Sequence, residues 1–157
     1  MKLSAKARHV QGTLRALGLD VHVVKLAEST RTATEAASAV GCTVGQIVKS
    51  LVFRAGEGPV LVLASGANFV DEDRLSSVVG TPIKRARADY VRQHTGYAIG
   101  GVAPVGHPRP ILTFVDEDLL QYSEVWAAAG GPFTVFACSP DFLASLGKVT
   151  RVKRVAG

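Results

Sequence analysis

One lysine interrupts an otherwise apolar run. In GQIVKSLVF, residues 45–53, Lys49 stands among Ile47, Val48, Leu51, Val52 and Phe53. An ammonium in such surroundings must reach water, meet an anion or lose its proton. The second chemical signal is GYAIGGVAPVG, residues 96–106, which is too rich in glycine for a regular element of any length. It reads as a strand broken by a loop whose backbone must come close to something. A cation at a strand entrance, beside a loop able to present backbone N–H groups, suits an anion or a polarised carbonyl. The same residues also fit a lysine that snorkels to the surface and glycines that serve only a turn.

Other chemistries have little support. There is no GxxxxGK[ST] phosphate loop, no HExxH, no GxSxG elbow and no GxGxxG. His9, His22, His94 and His107 are scattered without ligand spacing, so no metal site is expected. Cys42 and Cys138 lack CxxC spacing and read as buried thiols in a reducing cytoplasm. The acid-rich segments DEDR, residues 71–74, and DEDL, residues 116–119, read as a helix start and a strand end with solvated carboxylates. No cofactor is implied.

The elements that must position Lys49 and the loop can be followed along the chain. A helix is predicted over residues 4–18, with Val10, Leu14 and Leu17 at helical spacing and Gly18 as C-cap. LDVHVVKL alternates like a strand, and STRTATEAASAVG offers a capped, alanine-rich helix closed by Gly41. After a short helical turn in CTVGQIV, residues 49–55 and 60–65 form the arms of a hairpin about the turn GEGP. DEDRLSSVVG reads as a helix with acids in its first turn. PIKRAR follows as a short strand and ADYVRQHTG as a short helix. Beyond the glycine-rich loop, ILTFVDEDLL is predicted as a strand, SEVWAAAGG as a helix or extended segment, and PFTVFACS as a strand. SPDFLASLG is a helix with Ser139 as N-cap and Pro140 at the first helical position. KVTRVKRV alternates like a last strand with its basic residues on one face. Mixed strands and helices of this kind predict an α/β or α+β domain around a mixed sheet.

A chain of 157 residues, 47% hydrophobic and 20% charged, fits one domain over residues 1–157 with a substantial core. No apolar run approaches membrane-span length, and the first residues lack the apolar centre of a secretory signal. The formal net charge of +5 points toward a polyanionic partner. Much of it lies in KRARADYVR, residues 84–92, and KVTRVKR, residues 148–154, which equally describe two solvated faces.

The segments LGLDVHVV, EAASAVGCTVGQIVKSLVFR, VLVLASG, TGYAIGGVAPVGH and ILTFVDEDLL, in that order, resemble the YbaK family of aminoacyl-tRNA editing proteins. These are also known as prolyl-tRNA-synthetase-associated domains. The most specific parts are Lys49-Ser50-Leu51 and G-Y-x-x-G-G-x-x-P-x-G over residues 96–106. The resemblance implies a strongly curved, almost barrel-like mixed sheet flanked by helices. It also implies a metal-independent, cytoplasmic trans-editing deacylase acting on tRNA for proline mischarged with a small amino acid such as Ala or Cys. Its partners would be aminoacyl-tRNA and prolyl-tRNA synthetase. The family lysine falls on Lys49 and its pocket-loop glycines on Gly100 and Gly101; Ser50 stands where threonine or asparagine is usual. A Tyr, a Ser and an Asp that line the pocket in the family's Cys-tRNA deacylases fall near Leu26, on Ala129 and on Thr134. Losing three polar partners implies a less polar pocket and a changed amino-acid preference. Lys84, Arg85, Arg87, Arg92, Lys148, Arg151, Lys153 and Arg154 become expected contacts to tRNA phosphates. A non-catalytic tRNA- or synthetase-binding adaptor, or a binder of a small aminoacyl-adenylate-like ligand, fits the same residues.

Overall fold

The computed structural model describes residues 3–154 except 29, 31 and 57. The helices form where caps and spacing direct them. Helix α1 (Ala5–Ala16) starts where the Ser4 hydroxyl accepts from the Ala7 N–H, and it buries Ala7, Val10 and Leu14 on one stripe. Helix α2 (Ala33–Val40) opens on a reciprocal Thr32–Glu35 capping box and stops at left-handed Gly41. Helix α3 (Glu72–Val79) is capped by Asp71, α4 (Ala88–Thr95) ends at Gly96, and α5 (Pro140–Ala144) carries the expected Ser139 cap. No helix of the described residues is long and apolar enough to cross a membrane.

The strands make two sheets. In the larger, β2 (Val48–Ala55) and β3 (Gly58–Ser65) form the predicted antiparallel hairpin, with Lys49 opposite Ala64. Strand β4 (Ile83–Arg85) joins the outer side of β2, β5 (Leu112–Asp116) pairs with β3 in parallel, and β8 (Lys148–Thr150) pairs with β5 in parallel. The order is β4-β2-β3-β5-β8. The smaller sheet, β1-β7-β6, holds β1 (Val24–Lys25), β6 (Val125–Ala128) and β7 (Thr134–Cys138), all antiparallel.

The mixed α+β character is as expected; the barrel-like sheet is not. Closure requires the outer strands to meet, whereas β4 and β8, three residues each, pair only with their inner neighbours. Among the described residues, a parallel bridge from Ile47 to Trp126 connects the two sheets.

Other differences have local causes. The expected strand over residues 19–26 shrinks to Val24–Lys25, because the Val23 N–H is taken by the Gln11 side chain and the Leu26 N–H by Phe133 outside the ladder. DEDLL leaves the sheet at once: the Asp116 carboxylate caps a 3₁₀ turn over Glu117–Gln121. The glycine-rich residues 96–106 contain no strand. The strand ends at Thr150; beyond it Val152 is fully buried, Lys153 bridges to Val70, and Arg151 and Lys153 on either side of Val152 meet Asp71 and Asp118.

The core explains the apolar continuity of β3. On one face of the large sheet, Val48, Val52, Leu61 and Leu63 pack with Val125, Ala127 and Phe136 of the small sheet and with Val10 and Leu14 of α1. On the other, Phe53, Val60, Val62 and Ala64 pack with Leu75 of α3, Phe114 and Val152. A strand covered on both sides loses the polar alternation of a surface strand. Each fully buried Leu or Phe here contributes about 1.5–3 kcal/mol.

Candidate active site

Adjacent residues of a strand point to opposite faces, so Lys49 and Ser50 belong to different surroundings. Lys49 shares its face with Leu51 and Phe53, the α3 side of the large sheet. Its Nζ donates to the Asn68 carbonyl at 2.5 Å and lies 5.5 Å from the Phe69 ring centroid. Partial burial, then the nearby Arg85 guanidinium, lower the lysine pKa from its ordinary 10.5, while the Asp116 carboxylate opposes the shift.

Asn68 is itself fixed. Its side-chain amide donates to Asp116 and to Asp118, both at 2.8 Å. Asp116, expected to be solvated, is fully buried. It also accepts from the Ser65 N–H and the Asp118 N–H, each at 3.0 Å, and these bonds offset its desolvation. Asp118 pairs with Lys153 at 3.4 Å. Three distant segments, residues 68–69, 116–118 and 153–154, therefore meet beside Lys49.

Ser50 faces the other way, with Val48 and Val52, toward the core shared with Ala127 and Ala129. Its hydroxyl is buried and has no hydrogen-bond partner among the described residues. Buried hydroxyls in this state are uncommon, and a ligand's polar group would relieve the cost.

Gly100 and Gly101 join a second cluster. Gly100 adopts φ +89° and lies exposed. The Gly101 N–H is engaged by the Ala98 carbonyl at 3.0 Å, so Gly100 supplies the free donor of the pair. A Cβ on Gly101 would come within 2.7 Å of the Gly131 Cα, so the residue is glycine because two backbones touch. Beyond Gly130 and Gly131, Ala129 and Thr134 close the β6–β7 turn. The Ala129 N–H donates to the Thr134 carbonyl at 2.9 Å, and the Thr134 hydroxyl donates to the Ala129 carbonyl at 3.1 Å. Leu26 docks on the same turn through Phe133. Leu26, Ala129 and Thr134 are all buried, and the one hydroxyl among them is bonded to the backbone.

Tyr97 holds the loop in shape. Its buried hydroxyl donates to the Val105 carbonyl at 2.8 Å, and burial pushes its pKa up to about 12. His107 Nε2 lies 2.8 Å from the Ala103 carbonyl and must carry the proton there; burial lowers the ring pKa. The motif GYxxGG gave no reason to single out Tyr97, whose partner lies eight residues on.

The structure thus forms two sets: Lys49 with Asn68, Phe69 and the acids, and Gly101 with Ala129 and Thr134. The Ile47–Trp126 bridge lies between them, and from it the parallel strands carry Lys49 and Ala128 in the same direction. Of two clefts, of about 500 and 440 Å³, one is lined by His94, Pro108 and Arg109, the other by Lys6, His9, Tyr97 and His107, with Lys6 packed against Gly130 of the β6–β7 turn. Neither includes Lys49 or Gly100.

A family model described as an aminoacyl-tRNA editing domain matches residues 27–146, a span that contains Lys49, the glycine loop and the β6–β7 turn. The chain belongs to this family. As an editing domain it has relatives both free-standing and embedded. A crystal structure described as a candidate trans-editing enzyme for prolyl-tRNA synthetase is 49% identical, covers 98% of this chain and 100% of its own, and superposes with a TM-score of 0.94. A candidate Cys-tRNA(Pro)/Cys-tRNA(Cys) deacylase, EbsC of Enterococcus faecalis, is 28% identical over 73% of this chain and 71% of its own length. Proline–tRNA ligase of Xanthomonas axonopodis pv. citri is 32% identical over 57% of this chain, which there corresponds to 16% of the ligase.

Proposed function

We propose that this editing domain is a free-standing trans-editing deacylase that hydrolyses the ester of tRNA for proline mischarged with a small amino acid, working as one unit over residues 1–157. The observation that carries the reading is a partly buried lysine, hydrogen-bonded to the Asn68 carbonyl, within the span matched by the editing family. The free-standing relative described as a trans-editing enzyme for prolyl-tRNA synthetase supports the proline assignment, and the ligase match supports a working relation with that enzyme.

In this reading Lys49 meets the 3′ end of the charged tRNA, at a phosphate, a ribose oxygen or the ester carbonyl. Water adds to the carbonyl carbon and gives up a proton, for which the adjacent ribose hydroxyl is a relay on the substrate itself. The resulting oxyanion is stabilised by preorganised donors, for which the Gly100 N–H and the Lys49 ammonium are the candidates. Collapse expels the ribose oxygen, which takes up a proton; free amino acid and intact tRNA leave. Ser50, with its unpaired buried hydroxyl, is assigned to the substrate's polar groups, and Leu26, Ala129 and Thr134 to its side chain. Because the one hydroxyl among these is bonded to the backbone, alanine is favoured over cysteine or serine.

The test is hydrolysis of proline tRNAs charged with Ala, Cys, Ser or 2-aminobutyrate, by wild type and by Lys49→Ala. Hydrolysis of one substrate that vanishes in the variant is the expected result. Retention of full activity by Lys49→Ala would remove the lysine from the mechanism. Absence of hydrolysis with tRNA binding intact would mark the protein as an adaptor.

A further inference from the structure

The Lys49 cluster carries one side chain that the proposed chemistry does not use. Phe69 follows directly after Asn68, and 70% of its surface is exposed. An exposed aromatic ring is ordinary on a loose loop, but this one is mounted at both ends. On one side Asn68 is tied to Asp116, Asp118 and Lys49. On the other the Phe69 carbonyl accepts the Arg154 N–H at 2.9 Å, Val70 bridges to Lys153, and the Asp71 N–H donates to Val152. Two cations approach the ring: Lys49 Nζ at 5.5 Å and the Arg154 guanidinium at 5.7 Å from its centroid.

We propose that Phe69 is the stacking platform for the 3′-terminal base of the tRNA, with Arg154 taking the phosphate that precedes that base. A ring already attended by two cations disfavours a cationic ligand and favours a π-face followed by negative charge, the pattern of an unpaired nucleotide. Single-stranded ends are recognised by stacking bases on aromatic rings while basic side chains follow the backbone. The position is also the useful one: a base held on Phe69 places its own ribose, and hence the ester, beside Lys49. Phe69 is therefore a positioning residue, and it determines affinity rather than the chemical step. This inference rests on the deacylase reading, because it takes a tRNA end as the occupant.

The experiment has two readouts on the full chain, with wild type, Phe69→Ala and Phe69→Tyr. In single-turnover hydrolysis of proline tRNA charged with alanine, Phe69→Ala should raise the half-saturating enzyme concentration about tenfold while changing the maximal rate less than about twofold, and Phe69→Tyr should stay near wild type. In binding, uncharged proline tRNA with 2-aminopurine as its terminal base should be quenched by wild type and Phe69→Tyr but not by Phe69→Ala. Half-saturation unchanged in Phe69→Ala, or quenching that survives it or is missing in wild type, would overturn the proposal. A loss that follows the attached amino acid instead of the terminal base would overturn it too. If wild type hydrolyses no charged tRNA, the deacylase reading fails, and the quenching readout still decides the role of Phe69.

Discussion

The two halves of the candidate site are built by opposite means. Around Lys49 the work is done by side chains: a lysine, an amide and two carboxylates hold one another through hydrogen bonds of 2.5 to 3.0 Å. Around Gly101 it is done by their absence, because two glycine backbones touch beside the buried Leu26, Ala129 and Thr134. The first half supplies charge and tolerates exposure; the second supplies shape and depends on close packing. Substitutions should therefore damage catalysis in one half and stability in the other.

The sharpest test of that division is Lys49→Ala. Deacylation should fall at least about 10²-fold, as removal of a charge-stabilising donor does, with little change in the thermal midpoint. Gly101→Ala should behave conversely. Its added Cβ meets backbone that cannot rotate away, so a loss of about 3 kcal/mol is expected in denaturant titrations. Asp116→Asn lies between the two kinds of damage. It replaces an acceptor of three N–H groups with a side chain that is half donor, costing about 2 kcal/mol by the same measurement. It also removes the attraction that holds the Lys49 pKa up, so the lysine should titrate still lower in an NMR titration of its side chain.

The pH dependence is a smaller effect with a definite sign. The folded Lys49 pKa is below 10.5, so between these two values the unfolded chain binds more protons. Stability should therefore rise with pH across that window, and the cost of the buried charge is fully present below the folded pKa. Arg85→Ala removes a repelling charge and should move the lysine titration upward. Finest of all is the salt response: Lys84→Ala or Arg87→Ala, both exposed, should each lower the slope of log affinity against log salt by about 0.7–0.9 if the residue meets a phosphate.

The elements of this fold were legible where a local rule decides them. Ser139 with Pro140, Thr32 with Glu35, Asp71, and the hairpin about residues 56–59 all follow from neighbours in the chain. Lys49 was legible as a cation in apolar company. The rest required contacts that no local pattern encodes. Asp116 looks like one acid among several in DEDL; its burial follows from donors on Ser65 and Asn68, far away in the chain. Phe69 could not be singled out, because its meaning comes from Arg154. The curved sheet implied by the resemblance also failed locally: β4 and β8 are too short to reach across. The regular strand after Lys148 ends at Thr150, but the alternation continues locally, with Val152 in the core and Arg151 and Lys153 meeting Asp71 and Asp118.

The parallel pairing of β8 with β5 gives the site an order of assembly. Synthesis delivers the lysine, the hairpin and the glycine loop first. Residues 148–154 follow all of these, and they supply the strand that covers β5, the core residue Val152 and the two cations near Asn68 and Phe69. A chain stopped before residue 148 would keep the Lys49–Asn68–Asp116 contacts but lack the strand beside β5, the Val152 packing and both cations.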